Sequence, residues 1–91
     1  MRVRWSMRAA DDLAYIVERV RADNAAAAQR VAQTIFDGVI ALRVMPNRGR
    51  VGRAEDTCEL VFSPLPYIAV YEIVDRQVRI LRIRHAAQNW P

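Results

Sequence analysis

The N-terminal part of the chain changes from the hydrophobic period of a strand to that of a helix. Val3 and Trp5 alternate with arginines, which predicts a short strand with one apolar and one charged face. Ser6 follows in a position suited to a helix N-cap. The next apolar residues recur with helical spacing from about Met7 to Arg21, and Asp12 lies near the positive end of the helix dipole. The sequence therefore predicts a strand that leads directly into an amphipathic helix.

A second helical pattern begins after Asp23 and Asn24, either of which is suited to cap it. Apolar residues keep helical spacing from Ala25 to Leu42. The alanines at its start permit a close approach of the first helix, so the two form an antiparallel helical hairpin. Gly38 inside the second helix costs about 1 kcal/mol relative to alanine, and it indicates close packing at that point.

Pro46 ends this helix and introduces a basic loop punctuated by glycines, with the sequence Asn-Arg-Gly-Arg-Val-Gly-Arg at positions 47–53. Three arginines between glycines are suited to hold an anion. Solvated loops of arginine and glycine are also common in proteins without such a site. The loop is therefore a candidate for target or anion binding through Arg48, Arg50 and Arg53.

The remaining chain has the pattern of three consecutive strands. Leu60 and Phe62 alternate with polar positions, and a stiff turn with two prolines follows at positions 63–66. Residues 67–74 are almost all apolar and β-prone, as expected of a central strand. Asp75-Arg76 then forms a two-residue hairpin connection to the last strand. The expected fold is α+β: an N-terminal strand, an antiparallel helical hairpin and a three-strand antiparallel meander, with the helices packed on one face of the sheet.

Strict alternation in the last strand divides its side chains between two faces. One face carries Val78, Ile80, Arg82 and Arg84, and the other carries Arg79, Leu81, Ile83 and His85. The arginines on the first face are expected either at the outward edge of a twisted sheet or in a patch that faces an anion.

Composition limits the class of protein. The chain has 91 residues and no linker or repeat, which predicts a single domain spanning residues 1–91. All 14 basic residues are arginines and the formal charge is +4. A GC-rich genome explains arginine in place of lysine, but the charge also suits nucleic acid or an acidic protein segment as partner. No apolar run is long enough to span a bilayer, and a lone Cys58 fits a reducing compartment, so we expect a cytoplasmic protein.

Few residues offer catalytic chemistry. His85 is the only histidine, and the sequence around it has no Ser-His-Asp spacing, carboxylate pair, phosphate-binding loop or metal-ligand cluster. A lone histidine just past a strand is more often a structural hydrogen-bonding residue than a catalyst. We expect no cofactor and no metal. Trp90 beside Pro91 is either a packing residue or part of a surface that a partner covers.

An ordered series of segments resembles the ParE/RelE superfamily of bacterial toxins from type II toxin–antitoxin systems, and within it the ParE-like branch. The matching segments are Trp5-Ser6 with Ala9 and Asp12-Leu13, the helical hairpin, Leu42 with Pro46, Gly49-Arg50 and Gly52, Glu59-Leu60-Val61, Pro66-Tyr67-Ile68 with Val70-Tyr71, Ile80-Leu81-Arg82-Ile83, and His85-Ala86-Ala87-Gln88-Asn89-Trp90-Pro91. The resemblance covers essentially the whole chain. It implies a toxin neutralised by a cognate acidic antitoxin, ParD-like or RelB-like, that wraps over the helices and the sheet. The residues expected to bind this antitoxin are Leu13, Ile16, Val17, Ile35, Val39 and Tyr71.

The superfamily contains two activities: its RelE-like members cleave mRNA on the ribosome without a metal, and its ParE-like members poison DNA gyrase. Cleavage needs a group to activate the 2′-hydroxyl, a group to stabilise the transition state and an acid for the leaving oxygen. This chain has no lysine, and Ser63 lies near where the nuclease branch has an arginine. We therefore expect a gyrase inhibitor that binds its target through the residues Arg48, Arg50, Arg53, Arg82, Arg84 and Trp90.

Two alternatives stay open. One is a ribosome-dependent mRNA endonuclease, for which Arg82, Arg84 and His85 are the candidate catalytic residues. The other is a weakened toxin that acts mainly as an antitoxin-binding module. The second alternative arises because the family usually has an arginine immediately before the Glu-Leu of the second strand, where this chain has Cys58.

Overall fold

The computed structural model describes residues 1–87. The elements in chain order are β1 (Arg2–Trp5), α1 (Met7–Asp23), α2 (Ala25–Ile40), a short 3-10 turn (Ala41–Arg43), β2 (Arg50–Val51), β3 (Cys58–Val61), β4 (Tyr67–Val74) and β5 (Gln77–His85). The predicted order of strand, two helices and three strands is confirmed. The structure adds β2, which lies inside the segment predicted as a basic loop.

The strands form one five-stranded sheet in the order β1-β5-β4-β3-β2. Strands β3, β4 and β5 are the predicted antiparallel meander, and β1 extends it by pairing parallel to the first half of β5. Strand β2 pairs antiparallel with β3 at the opposite edge. Two residues between glycines carry no periodic signal, which is why sequence patterning missed β2.

Side-chain caps fix where the two helices begin. The Ser6 hydroxyl accepts a hydrogen bond from the backbone N–H of Ala9 at 3.0 Å, as predicted. Asn24, rather than Asp23, caps α2 by accepting from the N–H of Ala27 at 3.0 Å. Asn24 alone connects the two helices, so they fold back on each other as the predicted hairpin.

The hydrophobic core lies between α2 and one face of the sheet. Ile35, Val39 and Leu42 are at most 1% exposed and pack with side chains from β3, β4 and β5. The close packing expected at Gly38 is also found here, because a Cβ on this residue would lie 2.7 Å from Cε1 of the Phe62 ring. This arrangement confirms the α+β class with the helices on one face.

Strict alternation fails in the last strand. Ile80 pairs with Tyr71, but Arg82 pairs with Val70, so Leu81 is an extra residue that forms a bulge. The bulge reverses the pleat, and Ile83 joins Val78 and Ile80 in the core. The prediction that Arg82 and Arg84 share a face with Val78 and Ile80 is therefore wrong.

Two further findings concern residues 1–87. No helix among them has the length and apolar character that crossing a membrane requires. The same residues contain no group of three His, Cys, Asp or Glu side chains that could hold a metal ion.

Candidate functional site

The sheet face opposite the core carries an uninterrupted row of cross-strand neighbours. Arg50 pairs with Glu59, Glu59 with Val70, and Val70 with Arg82. Side chains of directly paired residues point to the same side of a sheet, so arginines flank a central carboxylate and an apolar residue. This face brings together two segments, the basic loop and the end of β5, that are about thirty residues apart in the sequence.

Glu59 holds the basic loop against this face. Its side chain is 1% exposed and accepts hydrogen bonds from Arg50 Nη2 at 3.1 Å and from the backbone N–H of Arg53 at 3.0 Å. An ion pair with Arg53 Nε at 3.7 Å adds to these contacts. Because a buried carboxylate needs such partners, Glu59 determines where both arginines lie. Sequence reasoning missed this role, since Glu59 reads as one polar position of an alternating strand.

Tyr71 anchors the start of the same loop from the core side. Its hydroxyl donates to the carbonyl of Pro46 at 2.8 Å and accepts from the N–H of Gly49 at 2.9 Å. Burial of the side chain raises the pKa of Tyr71 above its ordinary value, although the Gly49 N–H acts in the opposite direction. Gly49 has no space for a side chain, because a Cβ would lie 2.6 Å from the Tyr71 hydroxyl.

The end of β5 forms one wall of a concave site that we call the basic depression. It has a volume of about 390 Å³. Its lining residues are Ser6, Arg8, Ala54, Thr57, Val70, Leu81, Arg82 and Arg84. Arg8 from the first turn of α1 thus joins the two predicted arginines of β5. The sequence pattern did not predict this role of Arg8, because it places the residue on the exposed side of a helix.

Asp12 fixes the position of Arg82 in the basic depression. The carboxylate accepts from Arg82 Nε at 2.7 Å and Nη2 at 3.0 Å, and also from the backbone N–H of Ile83 at 3.0 Å. Burial alone would raise the pKa of Asp12, but these hydrogen bonds and the charges of Arg82 and Arg84 hold it below its ordinary value. Asp12 thus links α1 to the edge of β5 beyond the end of β1.

The three candidate catalytic residues do not share one site. Arg82 and Arg84 line the basic depression, whereas His85 lines a separate cleft between α1 and the ends of β4 and β5. There its ring makes an edge-to-face contact with Tyr67, with 5.7 Å between the ring centroids. Arg84 borders both sites. His85 Nδ1 also accepts the backbone N–H of Ala87 at 3.1 Å, which is a local structural contact.

The arginines predicted in the loop lie at different distances from the basic depression. Arg53 reaches toward the end of β5, where its Nη2 donates to the carbonyl of Ala86 at 3.3 Å. Arg50 lies farther out, on the edge strand β2, and Arg48 is exposed before it. Trp90, predicted as part of the same surface, lies outside the described residues.

The helical hairpin presents a second candidate surface, which we call the hairpin groove. It has a volume of about 460 Å³. Its lining residues are Trp5, Ala10, Leu13, Ala14, Val17, Glu18, Arg21 and Phe36. Leu13 and Val17 are half-buried and accessible here, as an interface with a partner requires. Ile16, predicted with them, instead lines the cleft beside His85.

Three residues expected at the antitoxin interface lie inside the chain. Ile35 and Tyr71 are 0% exposed and Val39 is 1% exposed. The two helical residues face the sheet and the tyrosine supports the basic loop, so none of them presents surface to a partner in this structure. The helical period identified α2 as amphipathic, but it did not show that its apolar stripe is already covered.

Cys58, the departure from the family pattern, lies at the start of β3. It is half-buried, packs against the hydrophobic core and pairs with Tyr71 across the sheet. It therefore lies on the core side of the sheet, and the basic depression is on the other side.

Comparison with known proteins places the whole chain in one family. The model of the ParE toxin of the type II toxin–antitoxin system parDE matches residues 3–90. "Putative toxin Y4kP" of Sinorhizobium fredii is 43% identical over 90 residues, which are 99% of this chain and 93% of that protein. Toxin RelE2 of Caulobacter vibrioides is 39% identical over 84 residues, which are 92% of this chain and 93% of that protein.

The fold is similar to that of a solved structure described as the chromosomal ParDE toxin–antitoxin system from P. aeruginosa. The two superpose with a TM-score of 0.85 at 26% identity, over 93% of this chain and 95% of the other. Family model, sequence relatives and fold agree. The chain belongs to the ParE toxin family of type II toxin–antitoxin systems.

Proposed function

We propose that this toxin acts in the cytoplasm by inhibiting DNA gyrase without catalysing a reaction, and that an acidic antitoxin of the ParD type neutralises it. The observation that carries the proposal is the basic depression, where three arginines surround an apolar floor. Guanidinium groups bind carboxylate or phosphate through paired hydrogen bonds. The depression is therefore suited to an acidic element of gyrase or to the DNA that gyrase holds.

The lining residues of the basic depression favour binding over catalysis. RNA cleavage needs groups that accept and donate protons near neutral pH. The described lining residues include no histidine and no carboxylic acid, the side chains that most often transfer protons in such a reaction. His85 belongs to the other cleft. These observations disfavour the alternative of a ribosome-dependent endonuclease that uses Arg82, Arg84 and His85 together.

A gyrase assay tests the proposal directly. Purified, antitoxin-free chain is added to DNA gyrase and relaxed plasmid, and we expect lost supercoiling or accumulated cleaved DNA. Normal supercoiling at molar excess of the chain would contradict the gyrase target. In parallel, primer extension on translated mRNA should show no codon-located cuts, since such cuts would support the endonuclease instead.

Arg8 offers the cleanest variant of the basic depression, because Arg82 also holds Asp12. We expect Arg8→Ala to weaken gyrase inhibition by about tenfold, as loss of one charge-assisted contact of roughly 1.5 kcal/mol would do. The matched control is Arg30→Ala, which removes the same charge from an exposed position on α2. Equal losses in both variants would mean that only net charge matters.

The proposed antitoxin site is the hairpin groove. Its apolar lining and the surrounding positive charge of the chain suit an amphipathic acidic segment laid in the groove. Val17→Glu should abolish co-purification with the antitoxin, because it puts a hydrated carboxylate where the apolar face of the antitoxin would pack and because that carboxylate repels an acidic segment. Gln29→Glu adds a charge to an exposed position of α2 and should leave binding intact. Retained binding of the Val17 variant would rule out this site.

The remaining alternative, a weakened toxin, depends on Cys58. An inducible growth test that compares the natural chain with Cys58→Arg addresses it. Equal growth arrest by both chains would indicate that the cysteine is tolerated drift. Arrest by the variant alone would indicate that the natural chain is weakened and acts mainly as an antitoxin-binding module.

A further inference from the structure

The cleft that contains His85 is a third concave site, distinct from the basic depression and the hairpin groove. It has a volume of about 380 Å³, within the range of roughly 300–1,000 Å³ that is typical of small-molecule sites. The residues that line it are Asp12, Tyr15, Ile16, Arg19, Tyr67, Ile83, Arg84 and His85. Helix α1 forms one wall and the adjoining ends of β4 and β5 form the other.

Aromatic rings stand on both walls of this cleft. On the sheet side, Tyr67 and His85 meet edge to face at 83° between their ring planes. On the helix side, Tyr15 is 62% exposed, which is unusual for a ring of its size. The two walls thus present aromatic surfaces that a planar group entering the cleft can stack against.

The charge of the cleft is positive. Arg19 lies over the Tyr15 ring, 5.6 Å from its centroid, and Nη1 donates to the Tyr15 hydroxyl at 3.0 Å. Arg84 adds a second guanidinium on the opposite wall. Among the described residues that line the cleft, Asp12 is the only carboxylate, and it already accepts hydrogen bonds from Arg82 and from the Ile83 N–H. An anion that enters the cleft therefore meets a carboxylate that is already paired with its own partners.

We propose that this cleft binds one nucleotide of a single-stranded nucleic acid, with the base stacked between Tyr15 and the Tyr67–His85 pair and its phosphate near Arg19 and Arg84. Aromatic rings beside arginines are the arrangement that holds single strands, because every base has a face for stacking and every phosphate a charge. The proposal does not rest on gyrase inhibition, although Arg84 borders both this cleft and the basic depression. An acidic protein segment would use the arginines but would leave the aromatic faces without a planar partner.

Fluorescence anisotropy with a short fluorescein-labelled oligothymidylate tests the proposal on the purified, antitoxin-free chain at one fixed salt concentration. We expect Tyr15→Ala to weaken binding by about fivefold or more, the effect of losing one stacked base. Tyr15→Phe keeps the ring and should stay within about twofold of the natural chain. Arg19→Ala should weaken binding more than Arg30→Ala, which removes an equal charge elsewhere on the helices.

Each other outcome counts against the site. Equal binding of an abasic strand of the same length would show attraction of phosphate to net charge alone. A polyglutamate peptide that binds as tightly, with the same loss on Tyr15→Ala, would identify an acidic protein segment as the partner. No difference between the Tyr15→Ala and Arg30→Ala variants would exclude the cleft. Since Tyr15 and Arg19 are exposed, unchanged unfolding midpoints are expected and exclude misfolding as the cause.

Discussion

Gly38 shows how one residue couples a helix to the sheet. Alanine normally stabilises a helix interior by about 1 kcal/mol relative to glycine. Here the added Cβ would meet the Phe62 ring, whose Cε1 and Cδ1 atoms lie at 2.7 Å and 2.9 Å. Overpacking of this kind costs about 1–3 kcal/mol. We therefore predict that Gly38→Ala lowers the free energy of unfolding by about 1 kcal/mol in urea denaturation.

A second substitution tests whether the clash with the Phe62 ring causes the loss of stability in Gly38→Ala. In a Phe62→Leu background the ring is absent, so the same Gly38→Ala change should be neutral or stabilising. The coupling energy between the two positions is the quantity to measure. An equal cost of Gly38→Ala in both backgrounds would show that Phe62 is not the obstacle.

The contacts of Asp12 should make the free energy of unfolding depend on pH in a specific way. The pKa of Asp12 in the folded chain lies below its ordinary value of 3.8. Its deprotonated form therefore stabilises the fold at all pH values above about 4, and this contribution declines as the pH falls through the lower folded-state pKa. We predict that Asp12→Asn costs about 1–3 kcal/mol at neutral pH, because Arg82 loses its charged partner.

The pH profile distinguishes this role from a general loss of packing. The difference in unfolding free energy between the natural chain and Asp12→Asn should shrink as the pH is lowered below 3.8. Asp23→Asn, which removes an exposed carboxylate at the end of the same helix, is the control and should have little effect at any pH. A constant difference across the pH range would contradict the charge-based explanation.

Among the elements, the β4–β5 hairpin carries a conformational cost in its turn. Asp75 and Arg76 have φ angles of 52° and 61°, as a type I′ turn requires. Aspartate tolerates this region, whereas arginine is disfavoured there by about 1–2 kcal/mol. We predict that Arg76→Gly raises the free energy of unfolding by about 0.5–1 kcal/mol, since glycine's flexibility in the unfolded state offsets part of the gain. Gln77→Gly, one residue later in β5, should destabilise the chain, and stabilisation by both would refute the turn argument.

The basic loop depends on Glu59 in a way that proteolysis can measure. Glu59→Gln removes the charge that Arg50 and Arg53 share, while it keeps the size of the buried side chain. The loop should then open more often, because local opening follows the loss of its anchoring contacts. We predict faster trypsin cleavage after Arg50 and Arg53 in native conditions, by about tenfold for a loss of roughly 1.5 kcal/mol. Glu55→Gln in the same loop is the control, and equal cleavage rates in both variants would contradict the anchoring role.

The sequence was sufficient to predict the elements whose signals are local. The Ser6 cap, both helices, the central strand at residues 67–74 and the Asp75-Arg76 turn each follow from side chains within a few positions of one another. Strand β2 and the bulge at Leu81 were not predicted, because neither has a local sequence signal. A two-residue strand has no period, and a bulge is fixed by the partner strand.

The difference between local signals and long-range contacts also explains which residues of the candidate site were predicted. Arg82 and Arg84 were named as candidates because they are basic residues of the predicted last strand, although strict alternation assigned them to the wrong face. Arg8 and Glu59 were not, because their roles arise from contacts with residues far away in the sequence. The sequence also could not show that Ile35, Val39 and Tyr71 are buried within the chain. A hydrophobic period identifies an apolar face, but it does not identify what covers that face.

At the scale of the whole molecule, the surface combines positive charge with exposed apolar side chains on α2 and the turn that follows it. Phe36 is 50% exposed, Ile40 38% and Val44 84%. Phe36 and Ile40 are four positions apart and form a stripe on one side of α2, and Val44 follows in the turn after the 3-10 segment. Such a stripe on a domain of this size indicates a surface that a partner covers. It adjoins the hairpin groove, since Phe36 belongs to both.

A bound antitoxin should therefore change the stability of the entire chain. Binding to the folded state alone adds about 2.7 kcal/mol at a free antitoxin concentration of 100 times Kd. For a domain of this size, that raises the unfolding temperature by roughly 10 °C or more. We predict such a shift when a cognate antitoxin of the ParD type is added, and we expect its association rate to fall with salt because the chain is basic. Val17→Glu should remove the shift while Gln29→Glu keeps it, and a shift that survives in the Val17 variant would place the antitoxin elsewhere on the surface.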